Sequence, residues 1–429
     1  MLWQNNEANF INPRRMILTI VLGYLGLAVL AGMPYYCCGG LSWLDAFFEG
    51  ISTVTLTGCS TVILPENLPS WILGWRSIVQ WLCGYFTILL FVMLLPRFFH
   101  SSNLMFNGDL GEFHNWHMLP ELGGVIRNFA LLYGGLTIFT FVGLSLFGVP
   151  LWQGFHYALG TASTAGFNVQ NGLILQGLGS GGKLFFAGTM LLAGGNYLFY
   201  YLLLKRGFDK KNFDEEFRFY FGLTIAATGF IAFNLWYLNF GGYALTDIFC
   251  QVSSFASTTG YMFINCGAWP VFSRFVLVLF LFVGGCAGST AGGLKMGRCL
   301  VLLKQFNWDV NVIFHPQMVE GVLFNGRRII ASVCYMISFY FFAHLLMVVI
   351  VALGLALNDC VAVEAIFTAC AALSNCGGGM SMASMSGNLA DFSVLGKISL
   401  VLGMLVGRLE IFIPLAFLLP EFWQRNKDW

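Results

Sequence analysis

Long apolar segments alternate with shorter and more polar ones along the whole chain. Each long segment holds about 20 mainly apolar residues, enough to cross a hydrocarbon core of about 30 Å as a helix. The eight segments are Met16 to Tyr35, Trp71 to Pro96, Arg127 to Phe147, Leu184 to Leu204, Phe219 to Leu238, Phe272 to Leu303, Ile329 to Leu357 and Val394 to Leu419. This pattern predicts an all-α polytopic membrane protein.

Between alternate pairs of spans lies a short amphipathic stretch that ends in small residues and glycine. The four stretches are Trp43 to Ser60, Trp152 to Asn168, Thr246 to Met262 and Ala362 to Met380. In the first three, a phenylalanine precedes the glycine by 11 positions. In the fourth, Phe367 lies 10 before Gly377 and 11 before Gly378, and Gly377 is the preferred filter glycine. About 11 helical residues extend only about 16 Å, so we expect each stretch to enter the membrane and return as a re-entrant loop.

Each set of span, re-entrant loop and span forms one repeat of about 100 residues. We therefore expect four parallel pseudo-repeats around one central ion pore, preceded by a cytoplasmic N-terminus at residues 1–15. The predicted repeats are residues 16–100, 101–210, 211–314 and 315–429, and the third contains an intramembrane loop at 284–293.

The distribution of charge gives the orientation. Apolar residues make up 58% of the chain and charged residues only 10%, so a bilayer is most of its solvent. None of the 21 lysines and arginines falls in the connecting segments 36–70, 149–182, 240–270 and 358–392, which therefore face away from the cytoplasm. Both termini are expected to be cytoplasmic, in the cell (inner) membrane. The net charge of +1 gives no reason to expect a nucleic-acid partner.

The outer segments also carry acidic residues. We expect these carboxylates to give the pore mouth a negative potential that concentrates cations. The seven acids are Asp45, Glu49, Glu66, Asp247, Asp359, Glu364 and Asp391.

The small residues that end the four stretches are candidates for a cation filter. They are uncharged and close with glycine, which tolerates positive φ and close backbone approach. A ring of their backbone carbonyls could replace the hydration shell of a potassium ion. The predicted filter residues are Leu56, Thr57, Gly58, Thr164, Ala165, Gly166, Thr258, Thr259, Gly260, Asn375, Cys376 and Gly377. The alternative is that such glycines only let helices pack closely.

The sixth span contains five glycines within ten residues, so a regular helix is not expected there. We predict an unwound loop that gates the pore, with Arg408 bonded to its carbonyls and Lys295 nearby. Its residues include Gly284, Gly285, Gly288, Ser289, Thr290, Gly292 and Gly293. The alternatives are a small-residue packing face for the glycines and, for Lys295, a side chain that extends to the cytoplasmic interface.

These motifs resemble the Trk/Ktr/HKT superfamily of potassium transporters, and the membrane subunit of its Trk branch most closely. The resemblance extends from about residue 16 to the C-terminus. It rests on Thr57-Gly58, Trp75-Arg76-Ser77 with Gln80-Trp81, Ser163 to Phe167, Ser257 to Tyr261, Gly284 to Lys295, His315-Pro316, Asn325-Gly326-Arg327 and Gly407 to Phe412.

The resemblance implies a pseudo-four-fold potassium pore, a gating loop in the third repeat, a homodimer and a cytoplasmic ring of nucleotide-binding regulatory subunits. Potassium is then the transported ion, with no organic cofactor in this chain. Glycine at all four filter positions resembles the potassium-selective pattern, since a serine in the first repeat marks sodium-preferring relatives. Two features depart from the family: two extra N-terminal helices found in many Trk subunits do not precede the first span, and Gly378 stands where proline often follows.

Two other functional classes compete with a potassium pore. An alternating-access transporter of potassium or sodium, coupled to protons or sodium, also uses broken helices and charges near the midplane. Its repeats are commonly inverted, whereas these four share one orientation. An enzyme is not expected, because the six histidines form no metal-binding spacing such as H-E-x-x-H.

Overall fold

The computed structural model describes residues 13–90, 119–170, 173–175, 177–206, 214–317, 321–357, 361–378 and 389–423. Most of the predicted N-terminal segment 1–15, the end of the span predicted to finish at Pro96, and the boundaries placed at 100 and 210 lie outside these residues.

Among the residues that the structure describes, four helices are long and apolar enough to cross a membrane, and each opens one of the predicted repeats. The apolar lengths are Arg14–Cys37, Gly123–Leu146, Glu215–Tyr237 and Ala331–Ala356. The complete helices are α1 (Pro13–Cys37), α4 (Leu119–Leu146), α8 (Glu215–Tyr237) and α12 (Ala331–Ala356). Large apolar side chains on their outer faces are exposed, including Leu131, Phe230 and Phe342. An apolar exterior of this kind is suited to lipid rather than to water.

Each long helix is followed by a short one of 12 residues. They are α2 (Trp43–Val54), α5 (Leu151–Ala162), α9 (Leu245–Ala256) and α13 (Ala362–Leu373). Twelve residues rise about 18 Å, which is too short to cross the hydrocarbon core. The C-terminal halves of all four helices are buried, so these ends meet in the interior of the protein.

Within the described residues, the helix that completes the first repeat is unbroken, with α3 spanning Ser70–Leu89. In the second repeat, α6 (Ser180–Ala193) and α7 (Tyr197–Arg206) form a pair bent by 92°. In the third, α10 (Val271–Val283) and α11 (Met296–Phe314) flank a non-helical segment. In the fourth, α14 (Val394–Leu409) and α15 (Phe412–Leu418) are bent by 113°. α16 (Pro420–Trp423) follows.

Two of these breaks differ from the sequence analysis, which treated Leu184 to Leu204 and Val394 to Leu419 as continuous spans. The first break falls at Gly194-Gly195-Asn196, where the Asn196 side chain accepts hydrogen bonds from the backbone N–H groups of Leu198 (2.9 Å) and Phe199 (3.4 Å). These bonds satisfy orphan donors at the start of a new helix. The second break falls at Glu410, whose φ is 62°.

The structure also includes a two-stranded antiparallel hairpin that the all-helical prediction did not contain. Strand β1 (Leu323–Phe324) pairs with β2 (Arg327–Arg328). Asn325 and Gly326 form the connection with φ angles of 49° and 73°. Asparagine followed by glycine suits such a turn, because both central residues need positive φ.

Candidate ion filter and intramembrane loop

The four short helices end in the same way. The residue after each helix is a serine or threonine whose hydroxyl donates to the carbonyl oxygen four residues earlier, at 2.6 to 2.9 Å. These residues are Thr55, Ser163, Ser257 and Ser374. Sequence reasoning missed them as a set, although a hydroxyl three residues before the glycine in all four repeats is a visible signal. Each hydroxyl adds a second hydrogen bond to a carbonyl that already accepts from the backbone N–H of the same residue.

A non-glycine residue with left-handed backbone follows in each repeat. The φ angles are 61° at Leu56, 51° at Thr164, 55° at Thr258 and 53° at Asn375. Such angles are uncommon outside glycine and cluster at functional sites. Each of these residues lies two positions before the predicted filter glycine, so Gly377 occupies in the fourth repeat the place of Gly58 in the first.

The fourth loop nevertheless differs in shape. Gly58, Gly166 and Gly260 have φ angles of 76°, 44° and 83°, whereas Gly377 is not among the glycines with positive φ. The chain there turns back into helical conformation at Gly377 and Gly378. The fourth quarter of the candidate filter is therefore built on a different backbone.

The glycines meet the backbone of the next loop in chain order. A Cβ atom on Gly58 would collide with the carbonyl oxygen of Ala165, and one on Gly166 with that of Thr259. A Cβ on Gly260 would lie 2.8 Å from the backbone nitrogen of Gly378, and one on Gly377 would lie 2.6 Å from the carbonyl oxygen of Thr57. The fourth loop thus returns to the first, and the four loops form a closed ring.

All twelve predicted filter residues are buried and lie in these four loops. Side chains also join the loops: Asn375 donates from Nδ2 to Thr57 Oγ1 (3.2 Å) and to the Met404 carbonyl (2.9 Å). The hydroxyls of Ser257 and Thr259 are 2.7 Å apart. The side chains of these loops are uncharged, and backbone carbonyls and hydroxyls of this kind suit a cation better than an anion.

The predicted intramembrane loop is present as a non-helical segment between Val283 and Met296. It packs against three of the four re-entrant loops. Thr164 Oγ1 lies 3.1 Å from Thr290 Oγ1, and the Gly292 N–H donates to Thr258 Oγ1 over 3.0 Å. A Cβ on Gly292 would collide with the carbonyl oxygen of Ser374. The segment therefore lies directly against the ends of the short helices.

Two basic side chains hold the middle of this loop. Arg408 donates from Nη1 to the Thr290 carbonyl over 2.7 Å, and Lys295 donates from Nζ to the Ala291 carbonyl. Both side chains are buried, at 3% and 4% exposure, so Lys295 does not extend to the interface. The predicted loop residues Gly284, Gly285, Gly288, Ser289 and Gly293 lie in the same segment, where Ser289 Oγ donates to the Cys286 carbonyl (2.7 Å).

A carboxylate that the sequence analysis missed fixes both ends of the loop. Glu216 is buried at the start of α8, and its Oε1 accepts from the N–H groups of Ala287 and Gly297, each at 2.7 Å. A Cβ on Gly297 would lie 2.9 Å from that oxygen, so any larger residue there would require the carboxylate to shift. The available signal was an acidic residue at the edge of an apolar span, which is usually functional or paired.

The expectation of a strongly negative outer mouth was wrong for three of its seven acids. Asp45 pairs with Lys397 and Asp247 with Lys183, each at 2.6 Å. Glu49 pairs with Arg76 inside the protein. The basic partners lie one to six residues beyond the ends of the outer segments, so the count of charges within those segments did not include them.

The sequence profile of the TrkH family, described as cation transport protein, matches residues 39–421. The chain belongs to the TrkH family. This confirms the resemblance found in the sequence, and it places the chain among transport proteins rather than enzymes.

Relatives and a solved structure agree over nearly the full length. The Trk system potassium uptake protein TrkH of Salmonella typhimurium is 29% identical over 98% of this chain and 89% of its own length. TrkG of Escherichia coli, also called a Trk system potassium uptake protein, is 27% identical over 97% and 86%. The crystal structure of the potassium transporter TrkH from Vibrio parahaemolyticus matches with a TM-score of 0.87 at 26% identity, covering 97% and 87%. The prediction of a helical, multi-pass membrane protein is confirmed.

Proposed function

We propose that this TrkH-family chain mediates potassium uptake through one pore whose filter is the closed ring of four re-entrant loops. The ring is the observation that carries the proposal, because backbone groups that surround one centre can replace the water around a dehydrated cation. The names of the relatives, which are potassium uptake proteins, support potassium as the ion. The carbonyl ends of four short helices would add attraction for positive charge.

In the proposed pore, four parallel repeats comprise residues 16–100, 101–210, 211–314 and 315–429, and the intramembrane loop at 284–293 is the gate. The contacts of Thr290 and Gly292 with the re-entrant loops support this role, because a segment that lies against the filter obstructs the path. Opening would require the Arg408 and Lys295 contacts with its carbonyls to break or move.

We further propose that both termini are cytoplasmic in the cell (inner) membrane and that the chain forms a homodimer. A cytoplasmic ring of nucleotide-binding regulatory subunits would control the gate. The charge pattern supports the orientation, and the resemblance to the Trk branch supports both kinds of partner.

Ion flux in a strain that lacks its own potassium uptake tests the function. Potassium and rubidium should be taken up strongly and sodium and lithium weakly. Gly58→Ser and Gly260→Ser should each reduce this preference, because a Cβ at either position meets the backbone of the next loop. Equal uptake of all four ions by the unchanged protein would refute the filter.

An alternating-access transporter is the second candidate, and the breaks in the second, third and fourth repeats favour it, since such carriers use discontinuous helices. The two mechanisms differ in rate and coupling. Potassium currents that follow the potassium gradient alone, unchanged by imposed proton or sodium gradients, would support the pore.

A further inference from the structure

A buried ion pair lies directly behind the first re-entrant loop. Glu49 and Arg76 are both fully buried, and Nη1 of Arg76 contacts Oε2 of Glu49. Nη2 of Arg76 donates to the carbonyl oxygen of Cys59 over 2.7 Å and to Ser52 Oγ over 3.2 Å. Because Cys59 follows Gly58, one guanidinium group joins the candidate filter to helix α3.

Glu49 fixes the next two residues of the same segment. Its Oε1 accepts from the Ser60 hydroxyl (2.8 Å), the Thr61 N–H (2.6 Å) and the Thr61 hydroxyl (3.0 Å). The two partners therefore hold three successive residues beyond the filter glycine. Hydrogen bonds to charged groups are shorter and stronger than neutral ones, so this segment is held firmly.

The guanidinium also reaches the second loop. Its central carbon lies 3.8 Å from the ring centroid of Phe167, which follows Gly166. A desolvated cation over an aromatic face is attracted by the ring. Arg76 thus contacts the exit segments of two neighbouring loops at once.

The equivalent positions in the other repeats are uncharged. On the helix that completes each repeat (α3, α6, α10 or α14), the residue seven positions after the N-cap is fully buried. These residues are Arg76, Phe186, Leu277 and Leu400. The residues nine positions before the filter glycine are Glu49, Tyr157, Gln251 and Thr368.

The second and third repeats show how these positions work without charge. The rings of Tyr157 and Phe186 lie 6.2 Å apart, so the same two positions face each other in the second repeat as in the first. In the third repeat, Gln251 accepts from the N–H groups of Phe263 (2.9 Å) and Ile264 (3.2 Å). Only the first repeat places an arginine on a carbonyl beside the filter glycine at these positions.

We propose that Arg76 is a positioning residue for ion selection in this pore, an inference that rests on the proposed function. By fixing the Cys59 carbonyl and the Phe167 ring, it prevents the first quarter of the filter from closing around a smaller ion such as sodium. Glu49 cancels its charge, so the buried guanidinium does not repel the permeating cation. Loss of one partner alone would leave an uncompensated buried charge.

The test uses the full-length protein in liposomes, with potassium and sodium uptake measured separately. Glu49→Gln combined with Arg76→Leu installs the uncharged pair of the third repeat, Gln251 and Leu277, in the same positions. We expect this variant to transport potassium with a potassium-to-sodium ratio about tenfold lower, the loss of roughly one charge-assisted hydrogen bond. An unchanged ratio would overturn the proposal.

Arg76→Lys is a second variant that keeps the charge but removes the planar fork that reaches Glu49 and the Cys59 carbonyl together. We expect a lower ratio here too, and a ratio equal to that of the unchanged protein would contradict the proposal even if the double variant fails to fold. The difference between the melting temperatures in potassium chloride and in sodium chloride measures preferential ion binding independently of flux.

The matched control is Lys183→Gln combined with Asp247→Asn, which neutralises an ion pair outside the filter. It should leave the potassium-to-sodium ratio within about twofold, because exposed and half-exposed pairs contribute little. If the unchanged protein itself does not prefer potassium, the proposed function fails. If it does and both Arg76 variants keep that preference, only the present inference fails.

Discussion

Nη1 of Arg408 lies 2.7 Å from the carbonyl oxygen of Thr290, and this bond joins the last break in the chain to the middle of the intramembrane loop. The two residues are 118 positions apart in sequence. Thr290 Oγ1 in turn lies 3.1 Å from the hydroxyl of Thr164 in the second re-entrant loop. In the proposed gate, a change at Arg408 would therefore alter how the loop is held against the second re-entrant loop.

Arg408→Gln should raise potassium flux. The substitution removes a charge-assisted bond of about 1.5–3 kcal/mol that holds the loop against the filter, and an equilibrium shifted by that amount favours the open state by about tenfold or more. Potassium flux into liposomes without regulatory subunits measures the effect. Arg218→Gln, at an exposed position on α8, is the control and should leave flux unchanged. Reduced flux with normal folding would show that the bond favours opening instead.

Gly292→Ala should have the same direction of effect for a steric reason. The added Cβ would collide with the Ser374 carbonyl, so the loop could not occupy its place below the fourth re-entrant loop. We expect a potassium leak in the same assay. Gly229→Ala on α8 is the matched control, because no atom lies within 4 Å of the added carbon. Equal flux in the two variants would argue against a loop that packs closely against the fourth re-entrant loop.

Glu216→Gln should loosen the loop without breaking every contact. The amide oxygen can still accept a hydrogen bond, but the charge that strengthens the bonds from Ala287 and Gly297 is lost, at a cost of about 1 kcal/mol. We expect flux to rise about fivefold and Glu216→Ala to have a larger effect. Glu215→Gln is the control, because Glu215 forms a partly exposed ion pair with Lys304. An equal rise in flux in this variant would contradict a specific role for Glu216.

Lys183→Gln should increase potassium uptake at low ionic strength. It leaves Asp247 without its 2.6 Å partner, and the freed carboxylate would then raise the local cation concentration. The gain should disappear at about 0.15 M salt or above, where charges beyond about 8 Å are screened. Uptake at several concentrations of an impermeant salt measures this, and a gain that persists at high salt would indicate a change in the filter instead.

Local patterns predicted the four short helices closely. An expected length of about 11 residues became 12 in every repeat, because the apolar run and the glycine that ends it are both visible in the sequence. The interruption between Gly284 and Gly293 was equally visible, because glycine disfavours a helix wherever it stands in one.

Long-range pairing could not be predicted in this way. The break at Glu410 has no glycine or proline at its centre, and Glu410 instead pairs with Arg298 at 2.8 Å on another helix. The acids Asp45 and Asp247 looked free because Lys397 and Lys183 lie far away in sequence or beyond the counted segments. Tertiary packing determines ion-pair partners of this kind, and the hydrophobic periodicity of a local segment does not reveal them.

At each of the four filter glycines, an added Cβ would lie within 2.8 Å of a backbone atom of the next loop. The atoms that each glycine approaches most closely are main-chain atoms of the next loop, so these closest contacts do not depend on the bulk of a neighbouring side chain. The four sequences Leu-Thr-Gly, Thr-Ala-Gly, Thr-Thr-Gly and Asn-Cys-Gly can therefore diverge while these contacts are kept. Side chains at these positions could therefore take separate roles in each repeat without a change in the closest backbone contacts between loops.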